Sequence, residues 1–291
     1  MFRSLRSLLE APTPVRAPLA LDPLMARLAE DAGFEAVYLG GGGLGYAKVF
    51  LEANLTSTEM AQAGLDLASV TTLPIILDGA CGWGDPVHLQ RTIPLVEAAG
   101  FAAIELEDQP YPKRVAHHAG EDEMIPVEQM DAKLRSAVRA RRDPDLLIIA
   151  RTSAATEDPD EALRRSEAYR AAGADVLLPA TGVRDPEVVL RIGRELGPPL
   201  MYLAPPGGLA HTGLSLEDLH GAGFRIVVDA MSLHLLAFEL LRAGYAELAA
   251  NGFAIQPQRP AADWWSLVGE LNGTVGLDRL LEIERATAPT R

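Results

Sequence analysis

Short apolar runs alternating with helix-patterned segments recur along the whole chain, and that alternation constrains the fold more than any other feature. Runs at residues 15–21, 34–39, 73–77, 101–106, 146–150, 175–178, 199–203 and 224–228 read as strands. Helices are expected between them, at 23–32, 58–69, 86–99, 126–141, 158–172, 185–196, 215–222 and 231–249. Their starts and stops are marked by Asp22-Pro23, Asp85-Pro86, Gly33, Gly100 and Gly173. Eight strands at intervals of roughly 30 residues predict a (β/α)8 TIM barrel, in which active sites form at the C-terminal ends of the strands. A doubly wound open sheet is the structural rival and needs fewer strands.

The organisation that follows is one barrel over residues 1–250 and a helical tail over 251–291, with a further helix around 277–284. The adjacent Trp264 and Trp265 give the tail a large apolar surface with no place left inside a barrel. It is expected to pack on a neighbouring subunit. The first residues form a short amphipathic helix with Phe2, Leu5, Leu8 and Leu9 on one face.

Charge and cysteine usage exclude several classes. Acids outnumber Lys plus Arg by 40 to 26, a net charge of −14 that offers no basic footprint for nucleic acid. No apolar run approaches the ~20 residues a membrane span needs. A single cysteine, Cys81, rules out an internal disulfide framework and fits a reducing cytoplasm. Beside a strand tip it reads as a small buried residue rather than a nucleophile.

Chemistry concentrates at the predicted strand ends. The third and fourth strands deliver Asp78 and Glu107 at or just past their last residues. Two acids side by side repel each other and call for a cation or a shared proton. A hard ion such as Mg2+ suits them, because it keeps several waters and takes only one or two protein carboxylates. The competing reading makes one of them a helix cap or an ion-pair partner. Arg151 ends the fifth strand, where a guanidinium can grip a carboxylate or phosphate bidentately. A long segment, residues 108–124, exceeds an ordinary βα turn and is a candidate lid. Its Lys113, Arg114, His117 and His118 can add donors or an acid, or form a solvated charged loop.

The second strand is followed by GGGGLG, read as a loop. Gly40, Gly42 and Gly45 match the dinucleotide fingerprint G-x-G-x-x-G, but a run of four glycines produces that pattern by chance. A flexible turn, or backbone N–H groups approaching an anionic ligand, are the alternatives.

The ordered set TSTEM, DGACGWG, IELEDQPYPKR, VEQMDAKLRSAVRARRDPD, IIARTSA and EAYRAAGADVLL resembles the isocitrate lyase/phosphoenolpyruvate mutase superfamily, over residues 2–246. The branch it resembles is that of methylisocitrate lyase and oxaloacetate decarboxylase. The resemblance implies a (β/α)8 barrel that exchanges C-terminal helices between subunits of a homo-oligomer, a dimer or tetramer. It implies Mg2+ and a 2-oxo acid or its enolate at the strand tips. On the same warrant Asp78 and Glu107 serve the metal, Arg151 the substrate carboxylate, Gly40 and Gly41 donate backbone N–H groups, and Tyr38 lines the pocket.

Departures from the pattern bear on the reaction. An acid of the metal shell is replaced by Ala80, a loop serine by Gly40, and the lyases' acid/base cysteine by Val115. A further acid is not clearly placed; Glu52 is the nearest candidate. Pro179 stands where a glutamate is expected, and LAPPGG has no asparagine. With Trp83 and Leu203 nearby, the pocket reads as less polar. The expected function is a Mg2+-dependent carbon–carbon lyase, of decarboxylase or retro-aldol type, acting on a 2-oxo or 2-hydroxy carboxylate through an enolate. Arg151, Lys113 and His117 are the catalytic candidates. Phosphonopyruvate-type P–C bond chemistry and a catalytically silent metabolite-binding barrel are the alternatives.

Overall fold

A computed structural model of the chain describes residues 4–257 and 263–287. Its eight strands are β1 (Val15–Pro18), β2 (Val37–Leu39), β3 (Ile75–Asp78), β4 (Ala103–Glu107), β5 (Leu147–Arg151), β6 (Val176–Leu178), β7 (Leu200–Ala204) and β8 (Phe224–Asp229). All pair in parallel, in the order β1-β8-β7-β6-β5-β4-β3-β2. The ring closes between β1 and β2 through a bridge at Leu19 and Tyr38 and the hydrogen bonds Ala20 N–H to Tyr38 O and Ala36 N–H to Arg16 O. This is the (β/α)8 barrel the alternation predicts. β1 is shorter than expected because it ends on Pro18, which has no N–H for the ladder.

Helices alternate with the strands. They are α1 (Leu5–Leu8), α2 (Pro23–Asp31), α3 (Gly41–Ala47), α4 (Ser57–Ala68), α5 (Pro86–Ala98), α6 (Val127–Ala140), α7 (Pro159–Ala171), α8 (Pro186–Leu196) and α9 (Leu216–Gly221), followed by α10 (Ser232–Ala250), α11 (Trp264–Val275) and α12 (Leu277–Thr287). The predicted GGGGLG loop is instead the start of α3. Its glycines cost helix propensity, but contacts demand them. A Cβ on Gly41 would lie 2.6 Å from Glu52 Cγ, and one on Gly45 would lie 2.9 Å from the backbone of Leu51 and Glu52. α4 starts one residue earlier than expected. Thr56 caps it, and Glu59 returns the bond to the Thr56 N–H in a capping box.

The strands' two-residue period sorts the interior into two layers. Val15, Ala17, Tyr38, Ile76, Ala103, Leu147, Ile149, Val176, Leu178, Met201, Ile226 and Val228 form the inner cluster, which also includes Leu5, Leu8 and Leu9 from α1 and its C-cap. Phe2, assigned to the same face, lies outside the described residues. The intervening strand residues, such as Leu39, Leu77, Ile104, Ile148 and Tyr202, pack outward into the larger helix-facing cluster.

The chain divides into two compact units, Met1–His234 and Leu235–Arg291. In the second unit α11 is an additional helix, started by Asp263, whose carboxylate accepts the Ser266 N–H at 2.7 Å. None of α10, α11 or α12 contains a buried residue among those described.

Candidate active site

Parity alone puts Tyr38, Asp78, Glu105, Glu107 and Arg151 on the barrel's inner face, each at or near the C-terminal end of its strand. The register refines the expected pairing of acids. Asp78 lies opposite Glu105, and Glu107, one pleat further on, lies opposite Arg151. All four charged groups are buried.

Asp78 is held by two backbone donors. Gly41 N–H reaches one carboxylate oxygen at 3.1 Å and Ala80 N–H the other at 3.1 Å. Each oxygen keeps acceptor capacity for a further partner. The Gly41 N–H is thus engaged with Asp78. Ala80 adopts φ +46°, in the left-handed region where Asp and Asn are more at ease than Ala. Its carbonyl accepts the Glu107 N–H at 2.9 Å, so the β3–α5 turn is tied to the tip of β4. Lys133 of α6, almost wholly buried, donates to the Cys81 carbonyl and pins the same turn from below.

Glu105 is fully buried. One of its oxygens accepts the Tyr38 hydroxyl at 2.9 Å and the other accepts Arg151 Nη1 at 2.8 Å. Burial pushes its carboxyl up to about 7, against the opposing pull of Arg151. Burial, and the neighbouring charges of Asp78 and Glu105, push the Tyr38 phenol well above its ordinary value. For Glu107 burial is outweighed by Arg151 and Lys113, which hold it below the ordinary glutamate value.

Two loops complete the cluster. Lys113 donates to Glu107 and, at 2.7 Å, to Glu52 from the segment before α4. Burial opposes its charge, but Glu107 and Glu52 raise its pKa above that of an ordinary lysine. Glu52 is pushed up to about 8, by burial first and by Asp78 second. His117 Nδ1 pairs with Asp122, which also accepts Gln109 Nε2 at 3.1 Å. Lys113 thus ties the lid segment to the rim, while the His117–Asp122 contact joins two residues of the segment itself. Val115 within it is 59% exposed. Trp83, with φ +55°, donates its indole N–H to Leu55 O at 3.1 Å and packs against the helix-facing cluster.

Of the residues singled out from sequence, the structure brings together Tyr38, Gly41, Asp78, Glu107, Lys113 and Arg151. Gly40, itself buried, adjoins the same cluster; a Cβ there would lie 3.2 Å from the Tyr38 ring. Glu105 was not singled out from sequence, although the spacing 103, 105, 107 places it on the face of Glu107.

Fit to Mg2+ rests on unpaired atoms. Among the described residues no three His, Cys, Asp or Glu side chains form a ready-made ligand set. Yet Glu107 Oε2 is buried with no hydrogen-bond partner, and Asp78 retains free lone pairs. Around them four acids, Glu52, Asp78, Glu105 and Glu107, face two cations, Lys113 and Arg151. That excess of carboxylate suits a divalent ion that also keeps water.

The sequence profile of the phosphoenolpyruvate phosphomutase family matches residues 5–249. The chain belongs to this family. A probable 2-methylisocitrate lyase of Corynebacterium glutamicum is 35% identical over 86% of this chain and 82% of its own length. An oxaloacetate decarboxylase of Chromohalobacter salexigens is 34% identical over 77% and 76%. The crystal structure of a phosphonopyruvate hydrolase with oxalate and Mg2+ superposes with a TM-score of 0.85 at 28% identity, covering 98% of each chain. In this member of the phosphomutase family, then, the strand-tip acids and arginine lie on a scaffold that elsewhere holds a metal and a small dicarboxylate.

Proposed function

We propose that this protein is a Mg2+-dependent carbon–carbon lyase that cleaves a small 2-oxo or 2-hydroxy carboxylate through an enolate. One observation carries the reading. Arg151 uses Nη1 on Glu105, while its Nε–Nη2 edge carries no hydrogen bond and Nε lies 3.4 Å from Glu107 Oε2, an ion pair with no hydrogen bond at either atom. A guanidinium edge with its Nε buried and without a hydrogen bond suits a carboxylate, and the neighbouring carboxylate oxygen, also without a hydrogen bond, suits a metal cation. Substrate acid and metal are the pair that satisfies both.

Asp78 and Glu107 would hold the ion, with Glu52 and Glu105 adding negative charge around it. Mg2+ bound there supplies Lewis-acid stabilisation of the charge that develops as the C–C bond breaks. Arg151 grips the substrate carboxylate and fixes its plane. Lys113 keeps Glu107 ionised and ties the lid over the rim. Gly41 N–H and Ala80 N–H keep Asp78 turned inward. His117, oriented by Asp122 through Nδ1, delivers a proton from Nε2 to the enolate carbon. Val115 leaves no thiol for this task, which favours decarboxylation: loss of CO2 needs one proton at the product carbon and no base, whereas retro-aldol cleavage needs that proton and also a base to take the substrate's hydroxyl proton.

Two further features belong to this reading. Exposed apolar side chains crowd the second unit, including Leu236, Phe238, Leu241, Tyr245 and Trp265. A second copy of this chain covers them, as a dimer or tetramer. The buried lone thiol of Cys81 fits a cytoplasmic setting.

Calorimetric titration with oxalate in the presence and absence of Mg2+ tests the site. Binding should require the metal and be lost in Asp78→Ala. Metal-independent binding, or none at all, would leave a silent barrel. Pyruvate release from oxaloacetate, 2-methylisocitrate and phosphonopyruvate then separates decarboxylation, retro-aldol cleavage and P–C chemistry.

A further inference from the structure

We propose that Glu105 is the positioning residue of the site: it sets the angle of Arg151, and thereby which edge of the guanidinium meets the substrate. The inference rests on the role given above to Arg151, but concerns a residue that touches neither metal nor substrate.

Three observations carry it. Glu105 lies one pleat below Glu107, with no exposed surface, so it has no path to a ligand of its own. Both its oxygens are committed, one to Arg151 Nη1 at 2.8 Å and one to the Tyr38 hydroxyl at 2.9 Å. Nη1 is the nitrogen cis to Cδ, so fixing it from below leaves the Nε–Nη2 edge as the one free of hydrogen bonds, with Nε in ion-pair range of Glu107 Oε2. That is the edge that forms two parallel bonds to a carboxylate.

Tyr38 fixes Glu105 in turn. Its ring is wedged against Gly40, where a Cβ would come within 3.2 Å, so the chain of support runs from α3 through Tyr38 and Glu105 to Arg151. An arginine on its long stem loses rotamer freedom when it binds, and support from below removes most of that loss beforehand. Leucine at 105 keeps the volume but removes both acceptors. Glutamine keeps an acceptor for Nη1.

The experiment uses full-length protein at pH 8 with saturating Mg2+ and oxalate as the probe. Glu105→Leu should weaken oxalate binding about tenfold or more, a loss expected when a buried charged donor loses its partner. Glu105→Gln should stay within about threefold of wild type, and Tyr38→Phe, which removes one support, should fall between them. NMR of the Arg151 Nε–H group without ligand should show faster guanidinium rotation in Glu105→Leu than in wild type. Wild-type oxalate affinity in Glu105→Leu, equal losses in the Leu and Gln variants, or unchanged rotation each overturns the proposal. A lower thermal midpoint alone marks Glu105 as core filling and also overturns it. If wild-type protein binds no oxalate with Mg2+, the lyase reading fails, while the rotation measurement still decides the role of Glu105.

Discussion

Compare the two arcs of the barrel rim. From β2 to β5 the inner face ends in Tyr38, Asp78, Glu105, Glu107 and Arg151, joined by Glu52 and Lys113 into a continuous run of hydrogen bonds and ion pairs. From β6 round to β1 the corresponding positions are Leu178, Met201, Val228 and Ala17, with Leu203 and Ala230 packed on them. The same strand period builds both arcs, and their depth of burial is similar. The lesson is a division of labour: one arc concentrates acids and cations, and the other supplies apolar wall that raises the strength of those charges by excluding water.

Replacing Arg151 should have the largest effect on that contrast. Arg151→Met removes the carboxylate grip and leaves Glu105 and Glu107 without their shared cation. Turnover should fall by about 10^3-fold, the scale seen when a charged group that stabilises a transition state is lost. Steady-state kinetics on whichever acid proves to be the substrate measures it. A fall of less than about tenfold would mean that the open Nε–Nη2 edge does not meet the substrate.

The apolar arc should respond on the other axis. Leu178 is 1% exposed in the inner cluster, so Leu178→Ala should cost about 2–5 kcal/mol of stability through lost burial and a residual cavity. Urea unfolding reads the loss. Mg2+ affinity should not move, because no metal-facing group lies on β6. A shift in Mg2+ affinity matching the loss of stability would show that the two arcs are not separable.

How much of this was legible in the sequence differs between the arcs as well. Asp78, Glu107 and Arg151 stand at the ends of apolar runs, where a period of two and a strand-tip position both identify them. Glu105 sits inside such a run, where only its even spacing from Glu107 marks it as facing the barrel interior. Glu52 was only a nearest candidate, because nothing local reveals that a residue before α4 meets Lys113 from the β4–α6 segment. The start of α3 was hidden for another reason. Glycine is a poor helix former, and only the approach of Gly41 and Gly45 to residues 51 and 52 explains why no other residue fits there. For α11 the signal was present, in Asp263 followed by Ser266, but it is a weak one.

Acidity gives the smallest expected effect and the finest probe of the charged arc. Without metal, Glu105 is raised to about 7 and Glu52 to about 8, chiefly by burial, whereas both titrate near 4.5 when unfolded. Between pH 4.5 and 8 the folded protein therefore holds more protons than the unfolded chain, and the linkage relation makes stability fall as pH rises through that window. Glu107 acts in the opposite sense, because Arg151 and Lys113 lower its pKa, and its contribution is lost only below about pH 4.5. The metal-free thermal midpoint should thus drop by a few degrees between pH 5.5 and 8. Saturating Mg2+ should flatten that slope, since a cation favours the deprotonated acids and its stabilisation grows with pH. A metal-free midpoint that rises over this range, or a slope that Mg2+ leaves untouched, would mean that the acids of the β2–β5 arc do not share one field.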